Sequence, residues 1–155
     1  MVGAIHKSTD GGKSWRLVTN RPDFFGNGAI RFYSEKMGVD PFDTEIVAAA
    51  SNTRGIWRST DEGETWKYAG LKNEPFCCLT FDPYHKSYLY AATLDSLPFA
   101  DYLYPDNTYK RPKVGGLYLS KNGGRTWEKI FEKRDVSFTN LVCDRKSPNI
   151  LLATI

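Results

Sequence analysis

The chain has 155 residues, 41% hydrophobic and 14% aromatic, enough to bury one real core and too apolar for a disordered segment. Twenty-one lysines and arginines against eighteen carboxylates leave a net charge of +3, with both signs mixed along the chain. Nucleic-acid binding, which clusters positive charge on one face, is not expected; nor is a membrane span, which needs roughly 20 consecutive apolar residues.

Met1 leads straight into strand-like sequence rather than into the basic segment and apolar core of a signal peptide, and the compartment stays open. Gly3-Ala4-Ile5-His6 alternates as a half-buried strand does, and the word STDGGKSW follows at 8–15. That word returns as STDEGETW at 59–66 and, altered, as SKNGGRTW at 120–127. Each copy has a glycine-led alternating segment ahead of it (Gly55-Ile56-Trp57-Arg58 and Gly116-Leu117-Tyr118-Leu119 in the later ones) and a second strand after its tryptophan. The word itself is therefore a hairpin turn.

Its letters suit that role. Ser8, Ser59 and Ser120 open the turn. Gly12, Gly63 and Gly124 supply positive φ. Asp10, Asp61 and Asn122 hydrogen-bond the turn backbone. Trp15, Trp66 and Trp127 carry the apolar area that pins the hairpin to the layer beneath. Acids repeated at one place in every repeat read as scaffold, not as catalysts. The spacing also lacks the alternating oxygen ligands of a calcium loop.

Two more strands complete the unit. Lys36 to Asp40, Cys77 to Asp82 and Asn140 to Asp144 align, with Met37/Val39, Leu79/Phe81 and Leu141/Cys143 on one face. Turns at Asp40-Pro41, Asp82-Pro83 and Ser147-Pro148 lead into apolar strands at 46–50, 88–93 and 150–155. Four short strands in about 50 residues make a β-propeller blade. The expected fold is all-β: a β-propeller with about three four-stranded blades per chain, the first and last blade split between the termini. With strands A to D counted outward from the axis, the units are C–D strands over 3–19, blades over 36–70 and 77–131, and A–B strands over 139–155.

The pattern Ser-x-Asp-x-Gly-x-Thr-Trp is identified as the Asp-box, or bacterial neuraminidase repeat, shared by sialidases, sortilin-type receptor domains, photosystem assembly factors and glycoside hydrolase family 74 xyloglucanases. The run Arg31-Phe32-Tyr33-Ser34-Glu35-Lys36-Met37-Gly38-Val39-Asp40-Pro41, then Glu45-Ile46-Val47, then Gly55-Ile56-Trp57-Arg58-Ser59-Thr60-Asp61, resembles the blades of the xyloglucanases. Ser34 and Lys36 depart from the family pattern. The resemblance implies an inverting endoglucanase acting on xyloglucan through two aspartates in a cleft between two propellers. Neither aspartate is assigned to a position here. No Arg-Ile-Pro signature of a sialidase occurs.

The two longest interruptions of the repeat grammar are 20–34, a D–A connection, and 95–114, a B–C connection. Both belong to the end of the propeller opposite the Asp-boxes, the usual place for binding on a rigid scaffold. In the second, Tyr102, Tyr104 and Tyr109 suit stacking on sugar rings, and Asp95, Asp101 and Asp106 suit an acid–base pair or hydroxyl acceptors. The plainer reading is a solvated loop whose aromatics and prolines pack it down, and the basic run 110–113 belongs to it. Arg31 and Glu35 read as a local ion pair or as ligand contacts.

Cys77, Cys78 and Cys143 form no disulfide framework and show no zinc spacing; they read as small buried apolar residues. His6 and His85 support no Ser/His/Asp or Cys/His nucleophile. No metal and no cofactor are expected. Three blades fall short of the four to eight of a closed propeller. The expected partner is therefore either a second copy completing a six-bladed ring as a homodimer, or the missing blades of a longer parent. A polysaccharide is the ligand class the aromatic loop suits. The reading is thus a non-catalytic binding module, with a xyloglucanase-like hydrolase as its alternative.

Overall fold

The computed structural model describes residues 4–19, 36–51, 55–72, 74, 76–93, 114–134 and 136–155. These form twelve strands in chain order. The first hairpin is β1 (Ile5–Lys7) and β2 (Arg16–Thr19). One four-stranded sheet holds β3 (Met37–Asp40), β4 (Asp43–Ser51), β5 (Gly55–Thr60) and β6 (Lys67–Tyr68). A second holds β7 (Phe76–Phe81), β8 (Leu89–Thr93), β9 (Val114–Ser120) and β10 (Glu128–Arg134). The last hairpin is β11 (Asn140–Cys143) and β12 (Leu151–Thr154). Each four-stranded sheet is an antiparallel meander in sequence order.

The sheets stack as blades do. Inner strand β7 packs on β3 and β4 on one side and on β11 on the other. Apolar residues therefore line both faces of the inner strands instead of alternating with polar ones. In β4, Val47 and Ala49 join Ile5, Trp57 and Trp66 between the first hairpin and the first full blade. Ala48 and Ala50 turn the other way, onto Leu79, Phe81, Leu89 and Ala91 of the second blade. Ala92, Cys77 and Cys78 meet Leu141 and Phe138 of the last hairpin. The core is three blade-to-blade seams, not one centre.

Blades converge toward their axis, which explains the small residues on inner strands. A Cβ on Gly38 would lie 3.1 Å from Leu79 Cδ1 and 3.2 Å from Phe81 Cδ2. The glycine that opens β5 is more constrained. Gly55 has φ +74°, and a Cβ there would stand 2.5 Å from the Gly70 carbonyl oxygen and 2.6 Å from that of Leu71. Closeness as well as backbone freedom demands glycine there.

All three cysteines are buried thiols. Cys77 Sγ lies 3.3 Å from Cys78 Sγ and donates to the Ala92 carbonyl at 3.1 Å. The contact with Cys78 and then burial push the Cys77 thiol far up, so it stays protonated. Burial likewise raises Cys143, to about 11.

The shared face is not equally covered in every blade. Met37 and Val39 share the face that in the next blade is formed by Leu79 and Phe81, yet they are 43% and 50% exposed while Leu79 and Phe81 are buried. The reason is positional. Leu79 and Phe81 rest on the inner strands of the blade before them. Ahead of β3 the described chain supplies only the outer hairpin β1–β2.

Candidate functional site

The Asp-box turns come first, since their side chains are all in view. In the second copy, the Ser59 hydroxyl accepts from the Gly63 amide at 2.8 Å and from the Asp61 amide at 3.2 Å, and donates to Asp61 Oδ1 at 2.6 Å. Asp61 in turn accepts from the Thr65 amide at 2.8 Å and the Thr65 hydroxyl at 2.5 Å. Ser8, Asp10, Gly12 and Ser14 repeat the pattern in the first copy. Gly12, Gly63 and Gly124 all have φ between +83° and +88°. Hydrogen bonds, that of Ser59 foremost, hold Asp61 at about 2; the Ser14 hydroxyl does most of the same for Asp10. Each of these carboxylates thus spends three of its roughly four acceptor sites on its own turn.

Asn122 does the work in the third copy with a reversed donor. Its Oδ1 accepts from the Thr126 amide at 2.9 Å and from the Ser120 hydroxyl at 3.0 Å, while its Nδ2 donates to Thr126 Oγ1 at 2.7 Å. Ser120 Oγ accepts from Gly124 as its counterparts do.

The tryptophans diverge. Trp66 is 6% exposed, packed on Ile5 and Val18 of the preceding hairpin, with its indole N–H on its own turn at Gly63. Trp127 reaches back to the preceding blade and donates to the Ala69 carbonyl at 2.9 Å. Trp15 keeps the turn bond to the Gly12 carbonyl but is 64% exposed. Trp66 and Trp127 pack on the blade before their own, and the described residues hold no such blade ahead of Trp15.

A second set of repeated acids closes the A–B turns at the same end. Asp40 accepts from the Phe42 amide at 2.9 Å, Asp82 from the Tyr84 amide at 2.7 Å, and Asp144 from the Lys146 amide at 2.6 Å. Asp82 also meets His85 Nδ1 at 3.0 Å, and His85 stacks on Tyr88. Burial raises the Asp82 carboxyl, but the bonds from Tyr84 and His85 outweigh it and the net shift is downward. Sequence reasoning set Asp40 and Asp82 where strand meets turn and Asp144 at a strand end, and gave none of them a hydrogen-bonding role. The signal was an Asp at the same phase of every repeat, just after the inner strand.

The ligand candidates Arg31, Glu35, Asp95, Asp101, Tyr102, Tyr104, Asp106 and Tyr109 lie outside the described residues. The strands that flank them are described, and their directions fix where the two connections leave the sheets. β2 runs away from its Asp-box and ends at Thr19, paired with Ile5; β3 begins at Met37. β8 ends at Thr93, paired with Phe76, and β9 starts at Val114 and runs toward the third Asp-box. Both connections depart from and return to the end opposite the Asp-boxes.

The base of the second connection is clasped. The Gly116 amide donates to Thr93 Oγ1 at 2.7 Å, and the Phe138 amide donates to the Thr93 carbonyl at 3.2 Å. Gly115 lies so close to the next blade that a Cβ would stand 1.9 Å from the Val136 carbonyl oxygen. Beside the first connection, Lys36 is half-buried; burial pushes its amine down to about 8, although the nearby Cys77 and Cys78 act to raise it. Among the described residues no group of His, Cys, Asp and Glu could hold a metal ion, and no helix could cross a membrane.

The chain is similar to known Asp-box propellers over most of its length. It is 30% identical over 140 residues to the xyloglucanase Xgh74A of Acetivibrio thermocellus, a match covering 83% of this chain and 16% of that protein. It is 42% identical over 65 residues to a xyloglucanase of a Paenibacillus species, covering 41% of this chain and 6% of that one. Among solved structures, the GH74 enzyme of Niastella koreensis superposes with a TM-score of 0.67 at 25% identity, over 90% of this chain and 20% of its own. The GH74 xyloglucanase of Xanthomonas campestris shares the fold with a TM-score of 0.67 at 18% identity, over 91% and 21%. This chain thus spans about a sixth to a fifth of the longer relatives. The family model described as "Sortilin, neurotensin receptor 3" (Sortilin-Vps10) matches residues 3–152, and the chain belongs to this family of Asp-box β-propellers.

Proposed function

We propose that the chain is a propeller module that binds a β-glucan of the xyloglucan type, through connections 20–34 and 95–114 on the face opposite the Asp-boxes. The carrying observation is directional: both long connections spring from one end of the blades, while the Asp-box turns at the other end engage their own serine hydroxyls and aspartates. Relatedness to proteins named xyloglucanases supports the ligand class. Tyr102, Tyr104 and Tyr109 would stack on pyranose faces, and Asp95, Asp101 and Asp106 would accept sugar hydroxyls. Arg31 and Glu35 would flank them from the other connection.

The same relatedness favours a second reading, in which two of those carboxylates act as acid and base in inverting hydrolysis. That chemistry needs a pair roughly 6.5–9.5 Å apart with room for a water. Calorimetric titration with xyloglucan oligosaccharides, alongside an assay for new reducing ends, separates the two. Binding without turnover, weakened at least tenfold by Tyr102→Ala or Tyr104→Ala, is expected. Turnover that disappears in Asp101→Ala or Asp106→Ala would establish the hydrolase instead. Neither binding nor turnover would remove both.

A further inference from the structure

We infer that a cleft between the first complete blade and the third Asp-box turn binds the phosphate group of a small phosphorylated molecule, through Arg58, Lys67 and Arg125. The cleft has a volume of about 380 Å³, walled on one side by Arg58, Thr60, Lys67 and Ala69 and on the other by Gly124 and Arg125. It lies against the outer strands β5 and β6 at the Asp-box end, away from connections 20–34 and 95–114.

The blade pattern itself brings the cations together. Arg58 on β5 and Lys67 on β6 are directly opposed across the antiparallel ladder, so both side chains leave one face of the sheet. Like charges at such a pair repel and cost stability. Arg125 adds a third cation from the next blade. Burial, and then the charge of Arg125, disfavour the Arg58 guanidinium, and Asp43 at the start of β4 acts the other way. Among the described residues no ion pair engages Arg58, Lys67 or Arg125. Asp61, in the turn between β5 and β6, is spent on Ser59 and Thr65. The three cations thus share a cleft that lacks a counter-ion of its own.

The cluster is held in place rather than splayed into water. Arg58 Nε donates to the Gly123 carbonyl at 2.5 Å, and a Cβ on Gly123 would come within 3.6 Å of both Nε and Nη2. The turn is fixed in its own right, since the Gly123 amide donates to the Ser87 carbonyl at 2.8 Å. With Nε anchored there, the Nη groups of Arg58 stay available as donors. Cations on two walls suit an anion whose oxygens point in several directions. A phosphate monoester carries close to two charges and three acceptor oxygens at neutral pH, whereas a carboxylate offers two oxygens in one plane. Arginine forks also match phosphate bidentately. The volume exceeds what the phosphate alone needs and sits at the low end of small-molecule sites, which run from about 300 to 1,000 Å³.

The test uses the 155-residue chain at constant ionic strength in a buffer without phosphate, titrated calorimetrically with glycerol 3-phosphate, glycerate and glycerol. Saturable binding of glycerol 3-phosphate is expected, with glycerate clearly weaker and glycerol silent. Lys67→Gln and Arg125→Gln alter exposed side chains, so both variants should keep their fold by circular dichroism. Each should weaken binding about tenfold, the worth of one charge-assisted hydrogen bond. Arg125→Lys, which keeps the charge without the fork, should recover only part of the loss. Failure of glycerol 3-phosphate to bind, binding no tighter than that of glycerate, or binding unchanged in both Gln variants would each overturn the inference. Xyloglucan oligosaccharides are neutral, and their binding should be the same in Arg125→Gln as in the parent chain, so either proposal can fail alone.

Discussion

Ser59 shows how much a single hydroxyl does in this fold. It is buried, and it takes two backbone amides and gives its own proton to Asp61. Removing it leaves the Gly63 amide without a partner, which costs about 1–3 kcal/mol. Ser59→Ala is therefore expected to lower Tm by roughly 2–4 °C per kcal/mol lost in a chain of this size. Thermal unfolding followed by circular dichroism would measure it. Asp10 and Asp61 have folded pKa values of about 2 against an ordinary 3.8. Depressed carboxyls contribute stability that is complete above the ordinary value and lost as pH falls through the folded one. Tm should therefore drop between about pH 4 and pH 2. Asp10→Asn/Asp61→Asn, which installs the amide nature already uses at Asn122, should retain the fold at neutral pH and flatten that acid limb. An unchanged acid profile would show that these carboxyls are not the groups responsible. Turn roles of this kind were legible in the sequence because every partner lies within four residues. The fate of the tryptophans was not, since burial of Trp66 and exposure of Trp15 depend on a neighbouring blade far away in the chain.

At the scale of elements, strand order and pairing followed the repeat grammar closely. Glycines opening each C strand, Asp-boxes closing it and apolar runs between turns were enough to place the blades. The grammar could not show which glycines face crowding. Gly11 and Gly55 both have positive φ, but nothing lies within 4 Å of a Cβ on Gly11, whereas on Gly55 it would strike two carbonyls. Gly55→Ala should thus cost clearly more than Gly11→Ala, which pays only the left-handed strain of about 1–2 kcal/mol. Urea unfolding midpoints of the two variants test the order, and equal midpoints would contradict it. Gly115→Ala belongs with Gly55→Ala, since its Cβ would overlap the Val136 carbonyl. It should loosen the clasp beneath connection 95–114 as well as lower stability. Leu79→Ala, at the centre of the seam between the two complete blades, should cost about 2–5 kcal/mol through lost burial and a residual cavity.

At the scale of the molecule, the blades divide labour between their ends. One end is built from short turns in which carboxylates accept from hydroxyls and amides of the same turn, as Asp61 and Asp82 illustrate. The other releases the two long connections above small residues and tight clasps such as Thr93 with Gly116. Repetition made the first end readable. The second departs from the repeat, so residues such as Tyr102 and Asp106 stood out only by composition, and their mutual geometry had no periodic rule to reveal it. The most direct test of the account is hydrogen–deuterium exchange with and without a xyloglucan oligosaccharide. The account predicts that ligand slows exchange in peptides spanning 20–34 and 95–114, while peptides containing the Asp-boxes at 8–15, 59–66 and 120–127 keep their rates. Protection confined to the Asp-box end would contradict it.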